Sequence, residues 1–234
     1  MFLNLLLNFI LATGSGPMDS ALQATEAPNT LRAAFTVELR SDAARRVYHF
    51  DPREKGDKRW QVIDWQGDDD ELEAVGAAWA AEAAPDGRLF PDDLRASLGP
   101  QVQVDDKGWA WKMSFHHTPS SNDGEYDVWA ASRLAATAWL DPVGERFLRI
   151  DYTLPHPVAG PEGGTLVRYD QSWFLRTEPH WGMSYVSGFS IDLEARAAFR
   201  TIHRRYSANI VKADFFFASK QAQDAFEASR PAAP

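Results

Sequence analysis

The sequence predicts an α+β protein: a large curved antiparallel β-sheet, an open half-barrel, with two or three helices on its concave side. Three observations carry this. Apolar and polar residues alternate with period two through most of the chain beyond residue 30, the mark of half-buried strands. The runs are joined by turn-rich stretches too short for helical crossovers, so neighbouring strands must run antiparallel. Two segments instead carry apolar residues at helical spacing between capping and breaking residues.

In chain order, Phe35, Val37 and Leu39 alternate with Thr36, Glu38 and Arg40. Two short β-like runs follow at 45–50 and 59–65, separated by the turn-forming stretch DPREKGDK. Asp68, Asp69 and Asp70 then provide a cap and first-turn anions for a helix with Leu72, Val75 and Trp79 on one face. A shorter helix starts near Pro91, carries Leu94 and Leu98, and stops at Gly99 before Pro100. Trp109, Trp111, Met113 and Phe115 share one parity, as do Leu148, Ile150, Tyr152 and Leu154. Val167, Tyr169, Trp173 and Leu175 form another such set, continued by Met183, Tyr185, Phe189, Ile191 and Leu193. Turns are expected at Asp141-Pro142, Pro161-Glu162-Gly163-Gly164 and Pro179-His180. Residues 130–138 fit strand or helix equally well. For 195–213, Phe199, Ile202, Tyr206 and Ile210 would make a helical face, but alternation and the run Phe215-Phe216-Phe217 favour strands. A weak helix is expected over 219–230, within a C-terminal tail 219–234.

The apolar run over residues 1–11, interrupted by Asn4 and Asn8 and followed by small residues, is too short to span a bilayer. It fits the apolar part of a secretory signal, with cleavage between Ala12 and Ala24, although the only positive charge before Arg32 is the amino terminus. The expected organisation is therefore a signal-like segment 1–24, a flexible lead-in 25–30 and one half-barrel domain 31–218. The expected location is the periplasm, without a lipid anchor, because the chain has no Cys.

Composition narrows the function further. The net charge of −9 opposes nucleic acid or an anionic membrane as a general partner. Absence of Cys excludes disulfides, thiolate catalysis and iron–sulfur clusters. The adjacent pair His116-His117 would point to opposite faces of a strand, and no metal-ligand spacing occurs, so neither metal nor cofactor is expected. No nucleophile elbow or phosphate-binding loop occurs either, and the chain is expected not to be an enzyme. A hydrolase site would have to assemble from distant residues such as His116, Asp151 and His180. Arg196, Arg200 and Arg204 make a basic stripe suited to an anionic headgroup, to a transient envelope partner or to the protein's own acidic surface.

Nine Trp residues are the unusual figure. Aromatic faces from several strands exceed what two short helices easily cover. The sheet is then either packed by a second layer or curved around an apolar hollow that accepts a ligand. In the hollow reading Trp109, Trp111, Phe115, Tyr152, Trp173 and Leu175 line the cavity, and Leu72, Val75 and Trp79 cover it. An acyl chain burying about ten methylenes would gain roughly 8 kcal/mol, reduced by ordering costs to micromolar affinity or weaker.

The order of elements resembles the LolA/LolB-like superfamily, which includes the bacterial periplasmic lipoprotein carrier and its outer-membrane receptor. Residues 35–40, Arg59-Trp60, 169–176 and 206–217 carry the likeness, by pattern and without a diagnostic motif. The resemblance implies an open half-barrel lidded by helices, an acyl-accepting cavity, a periplasmic location and no cofactor, and it places 68–84 as a helix on the concave side. It does not identify which position holds the carriers' lid-closing arginine. The expected function is that of a monomeric, non-catalytic binding or carrier protein for an apolar small molecule, a lipid or a lipidated protein. The rival is an envelope interaction module with a filled core.

Overall fold

The computed structural model describes residues 16–91, 94–99, 101–119, 125–160, 163–197 and 200–229. The apolar run 1–11, the turn residues Pro161-Glu162, Pro100, Phe199 and the final residues 230–234 lie outside the described set. The helices are α1 (Pro17–Thr25), α2 (Asp70–Ala80), α3 (Leu94–Leu98), α4 (Glu125–Ala131) and α5 (Lys220–Ser229). The strands are β1 (Leu31–Arg40), β2 (Arg45–Phe50), β3 (Trp60–Gln66), β4 (Val102–Asp106), β5 (Trp111–His116) and β6 (Ala135–Asp141). They continue with β7 (Arg146–Thr153), β8 (Val158–Ala159), β9 (Gly164–Thr177), β10 (Ser184–Ala197) and β11 (Arg200–Phe217).

All eleven strands belong to one open antiparallel sheet of order β3-β2-β1-β11-β10-β9-β7-β6-β5-β4, with β8 beside β9. The α+β antiparallel class is therefore the observed one. The contested stretch 195–213 is the end of β10 and most of β11. Residues 130–138 divide, ending α4 and beginning β6.

Contacts group the chain into two compact units. Unit 1 comprises Met1–Glu26 and Pro91–Ser207, and unit 2 comprises Ala27–Phe90 and Ala208–Pro234.

In unit 1 the strand register is regular from β4 to β6 and shifts once between β6 and β7, at Trp139/Leu140, with Met113 opposite Ala138 and Ala138 opposite Ile150. Alternate residues Ala136, Ala138 and Leu140 of β6 face inward beside Met113, Phe115, Phe147 and Ile150. The alanines leave room above the sheet. Leu22 and Ala21 of α1 and Leu94 and Leu98 of α3 fill it. The expected boundary between the signal-like segment 1–24 and the flexible lead-in 25–30 falls at the end of α1, which packs on β7. Met18, Ala21, Leu22 and Thr25 recur at i, i+3, i+4 and i+7, a stripe that buries against the sheet. Arg95 of α3 pairs with Glu26 at 2.6 Å and Asp19 at 3.4 Å, joining the two helices at their exposed sides.

In unit 2, Phe35, Val37 and Leu39 of β1 are buried as alternation requires. Asp69 caps α2, its carboxylate accepting from the Leu72 N–H at 3.0 Å and from the Ser41 hydroxyl at 2.5 Å. These contacts hold the Asp69 carboxyl below the usual carboxylate range, the Ser41 hydrogen bond contributing most. Beyond α2 a short 3₁₀ turn, Pro85–Leu89, docks on β1. There the buried Asp86 accepts a two-pronged pair from Arg32 at 2.7 and 2.9 Å, and a third bond from the Ala33 N–H at 3.1 Å. A buried carboxylate is tolerated because its acceptor positions are filled by a cation and a backbone donor.

Candidate functional site

Alternation along β3 would put Trp60, Val62 and Asp64 on one face and Gln61, Ile63 and Trp65 on the other. The observed register is different. Val62 lies opposite Tyr48 and Asp64 opposite Val47, so β3 carries one extra residue, Ile63, against β2. This bulge switches parity within the strand. Trp60, Val62 and Trp65 become partners of Phe50, Tyr48 and Arg46 respectively, and all three come to one face.

On that face an open cleft of about 590 Å³ is lined by Arg46, Tyr48, Trp60, Val62, Trp65, Asp68, Glu73, Ala77 and Ala80. Its floor is aromatic. Trp60 lies 5.2 Å from Tyr48, 6.1 Å from Phe35 and 5.7 Å from Trp79, ring centre to ring centre. Trp79 in turn donates its indole N–H to the Pro85 carbonyl at 2.8 Å, which fixes the far wall. The near wall is left incomplete: Trp65 is 67% exposed and Val62 50% exposed.

The helix over the cleft presents small residues. Gly76 is buried directly above Tyr48, and a Cβ there would collide with the phenol hydroxyl. Ala77 and Ala80 follow along the cleft wall. Tyr48 is itself buried, and that desolvation raises its pKa.

Arg46 holds the helix end in place. It is 4% exposed, and Nη1 donates to the carbonyls of Arg45, Gln66 and Gly67 at 3.1, 3.2 and 2.8 Å. Its Nη2 donates to Glu73 on α2 at 2.6 Å. That bond is the main reason its pKa is raised. One side chain on β2 thus ties the 66–67 turn and the first turn of α2 together.

The residues expected to form the cavity fall elsewhere. Phe115 and Leu175 are buried in the unit 1 core, with Trp111, Tyr152 and Trp173 packed at its margin under the same apolar cluster as α1 and α3. They pack side by side, and neither cleft described here is lined by them. Trp109 leaves their face altogether. A turn closed by the Lys107 N–H to the Ala110 carbonyl at 2.9 Å, with Gly108 at φ +83°, precedes β5 and resets its direction. Trp109 is 66% exposed and stacks on Trp139 at 5.5 Å.

Leu72 and Trp79 are buried and Val75 half-buried, but within unit 2, where α2 packs on β1 and β2. They cover an aromatic cluster of their own unit. Leu72, Val75 and Trp79 thus belong to unit 2, and Trp109, Trp111, Phe115, Tyr152, Trp173 and Leu175 to unit 1.

Arg196 pairs with Glu194 at 2.9 Å, and Arg200 and Arg204 are exposed on β11. On an extended strand these last two lie about 13 Å apart, a spread that a helical stripe would have halved.

A second, polar cleft of about 260 Å³ lies on unit 1 among Lys112, Thr137, Trp139, Arg149, Asp151, Thr153, Asp170, Gln171 and Ser172. Asp151 accepts from Ser172 at 2.6 Å, Arg149 at 2.5 Å and the Trp139 indole at 3.3 Å. Those donors make it an organised ion pair on the sheet face. Among the described residues no group of three or more His, Asp and Glu side chains is arranged to hold a metal.

Comparison with family models, with curated proteins and with solved structures finds no match.

The lining of the larger cleft was hidden in the sequence for a definite reason. Trp60 and Trp65 have opposite parity, so only the bulge at Ile63 brings them together. The one sequence signal is Gly76, Ala77 and Ala80 on α2, small residues beside a strand pair rich in aromatics.

Proposed function

We propose that the protein is a non-catalytic binding or carrier protein whose cleft beside α2 receives the apolar chain of a lipid, lipidated protein or other amphiphile. The observation that carries this reading is the convergence of Trp60, Val62 and Trp65 on a cleft whose helical wall is Glu73, Ala77 and Ala80. Its volume of about 590 Å³ falls in the range of small-molecule sites, roughly 300–1,000 Å³. Open on one side, the cleft suits a chain that enters and leaves, and an affinity on the order of micromolar follows from partial burial. Arg46 fixes the cleft wall through its bond to Glu73 on α2 and its bonds to the Arg45, Gln66 and Gly67 carbonyls. The resemblance to the periplasmic lipoprotein carriers points the same way, with export to the periplasm part of the proposal.

A neutral apolar fluorophore, N-phenyl-1-naphthylamine, tests it. The full chain is expected to bind the dye with enhanced emission, and the double variant Ala77→Leu, Ala80→Leu is expected to lose about tenfold or more in affinity while unfolding at an unchanged urea midpoint. Dye binding that is absent, or indifferent to filling the cleft, would remove the reading.

One observation favours the rival function for the other unit. The apolar face of unit 1 is filled by α1 and α3, the packing expected of an envelope interaction module. Carriage in the proposal belongs to unit 2 alone.

A further inference from the structure

The cleft beside α2 has a marked imbalance of charge. Its lining includes two carboxylates, Asp68 and Glu73, and one cation, Arg46. The cation is already engaged. The Arg46 guanidinium is buried and donates to three carbonyls and to Glu73, so greeting an anionic ligand would require it to release α2. Other cations of the neighbouring strands are likewise held: Arg45 by Glu38 and Asp64, and Arg59 by the Ala83 carbonyl at 2.8 Å while lying over the Phe50 ring.

Nor does the helix end attract an anion. The N-terminus of α2 carries a positive partial charge, but Asp69 caps it and Asp70, Glu71 and Glu73 surround it. The exposed charge at that end is negative. Beside it stand the rings of Trp60, Trp65 and Tyr48. Indole and phenol faces attract cations through their quadrupole, Trp most strongly, and aromatic sites of this kind recognise alkylammonium groups.

We propose that the cleft selects amphiphiles with a cationic headgroup, an ammonium or quaternary ammonium on an apolar chain, over anionic ones. The chain would lie along Trp60 and Ala80 and the headgroup at Trp65 and Asp68, since Glu73 is already paired with Arg46. This deepens the carrier reading and rests on it. Selectivity follows because an anionic headgroup must be desolvated next to like charge, whereas a cation gains both the ring faces and the Asp68 carboxylate.

The test is competition for the bound neutral dye by dodecyltrimethylammonium and by dodecanoate, both below their micellar concentrations, with the fold followed by circular dichroism. The cation should displace the dye at about tenfold lower concentration than the anion, and the gap should shrink in high salt. Asp68→Asn should narrow it, whereas Asp68→Glu, which keeps the charge, should leave it intact; a gap indifferent to Asp68→Asn overturns the headgroup inference. Equal displacement, or preference for dodecanoate, overturns the headgroup inference and leaves the carrier reading standing. If the neutral dye itself does not bind, the carrier reading has failed first.

Discussion

The two units use one device, helices laid on an antiparallel sheet, with the sizes of the facing side chains reversed. In unit 1 the strand contributes small residues, Ala136 and Ala138, and the helices contribute Leu22, Leu94 and Leu98. In unit 2 the strands contribute Tyr48, Trp60 and Trp65, and the helix contributes Gly76, Ala77 and Ala80. Leucines on a helix reach down and fill the space between alanines. Alanines on a helix cannot reach a tryptophan at the sheet margin, so a gap persists beside Trp65. The difference teaches that a filled layer and an open cleft follow from which partner carries the bulk.

The comparison breaks most visibly at Leu22. Leu22→Ala should cost about 3 kcal/mol in urea unfolding, because the residue is 2% exposed under a filled layer, with dye affinity unchanged. Dye binding that weakened in step with that substitution would relocate the cavity to unit 1.

Gly76→Ala sharpens the same contrast from the other side. The new methyl must displace Tyr48. Overpacking costs about 1–3 kcal/mol against a helix-propensity gain of about 1, so a net loss of about 1 kcal/mol is expected. Dye affinity should fall as well, because Tyr48 lines the cleft. A stabilised variant with unaltered binding would show that the ring and helix are not in contact.

The smallest effect is at the start of α2. Asp69→Ala should cost about 1 kcal/mol as a lost N-cap. Because the folded-state pKa of Asp69 is depressed, by the Ser41 hydroxyl first and the Leu72 N–H second, its contribution is present above the unfolded carboxylate pKa. It is lost as the pH falls through the folded value. Urea midpoints measured from neutral to strongly acidic pH should therefore decline less steeply for Asp69→Asn than for the native chain. Parallel profiles would refute the assignment.

Much of the fold was legible. Period two placed Phe35, Val37 and Leu39 on the buried face of β1, and Met113 and Phe115 on that of β5. The Asp run marked the start of α2, and Gly99, at φ +62°, marked the end of α3. The site was much less so. Leu72, Val75 and Trp79 were correctly placed on one helix, yet the ring partners of Trp79 are Phe35 and Trp60. Alternation says which residues share a face but not which strands a helix will cover. Trp109 misled for a local reason, a turn with a left-handed glycine at Gly108, and the stripe Met18, Ala21, Leu22 and Thr25 of α1 was not read from the sequence.

The sequence by itself determined the antiparallel class, the strand faces in regular ladders and the caps of α2, because each depends on side chains a few residues apart. Only the tertiary structure decided where the cleft lies. An extra residue in one strand reverses parity for everything after it, and whether Ile63 bulges depends on its pairing with β2. Likewise, whether a helix fills or leaves open the space above a sheet depends on the bulk of residues brought together from distant parts of the chain.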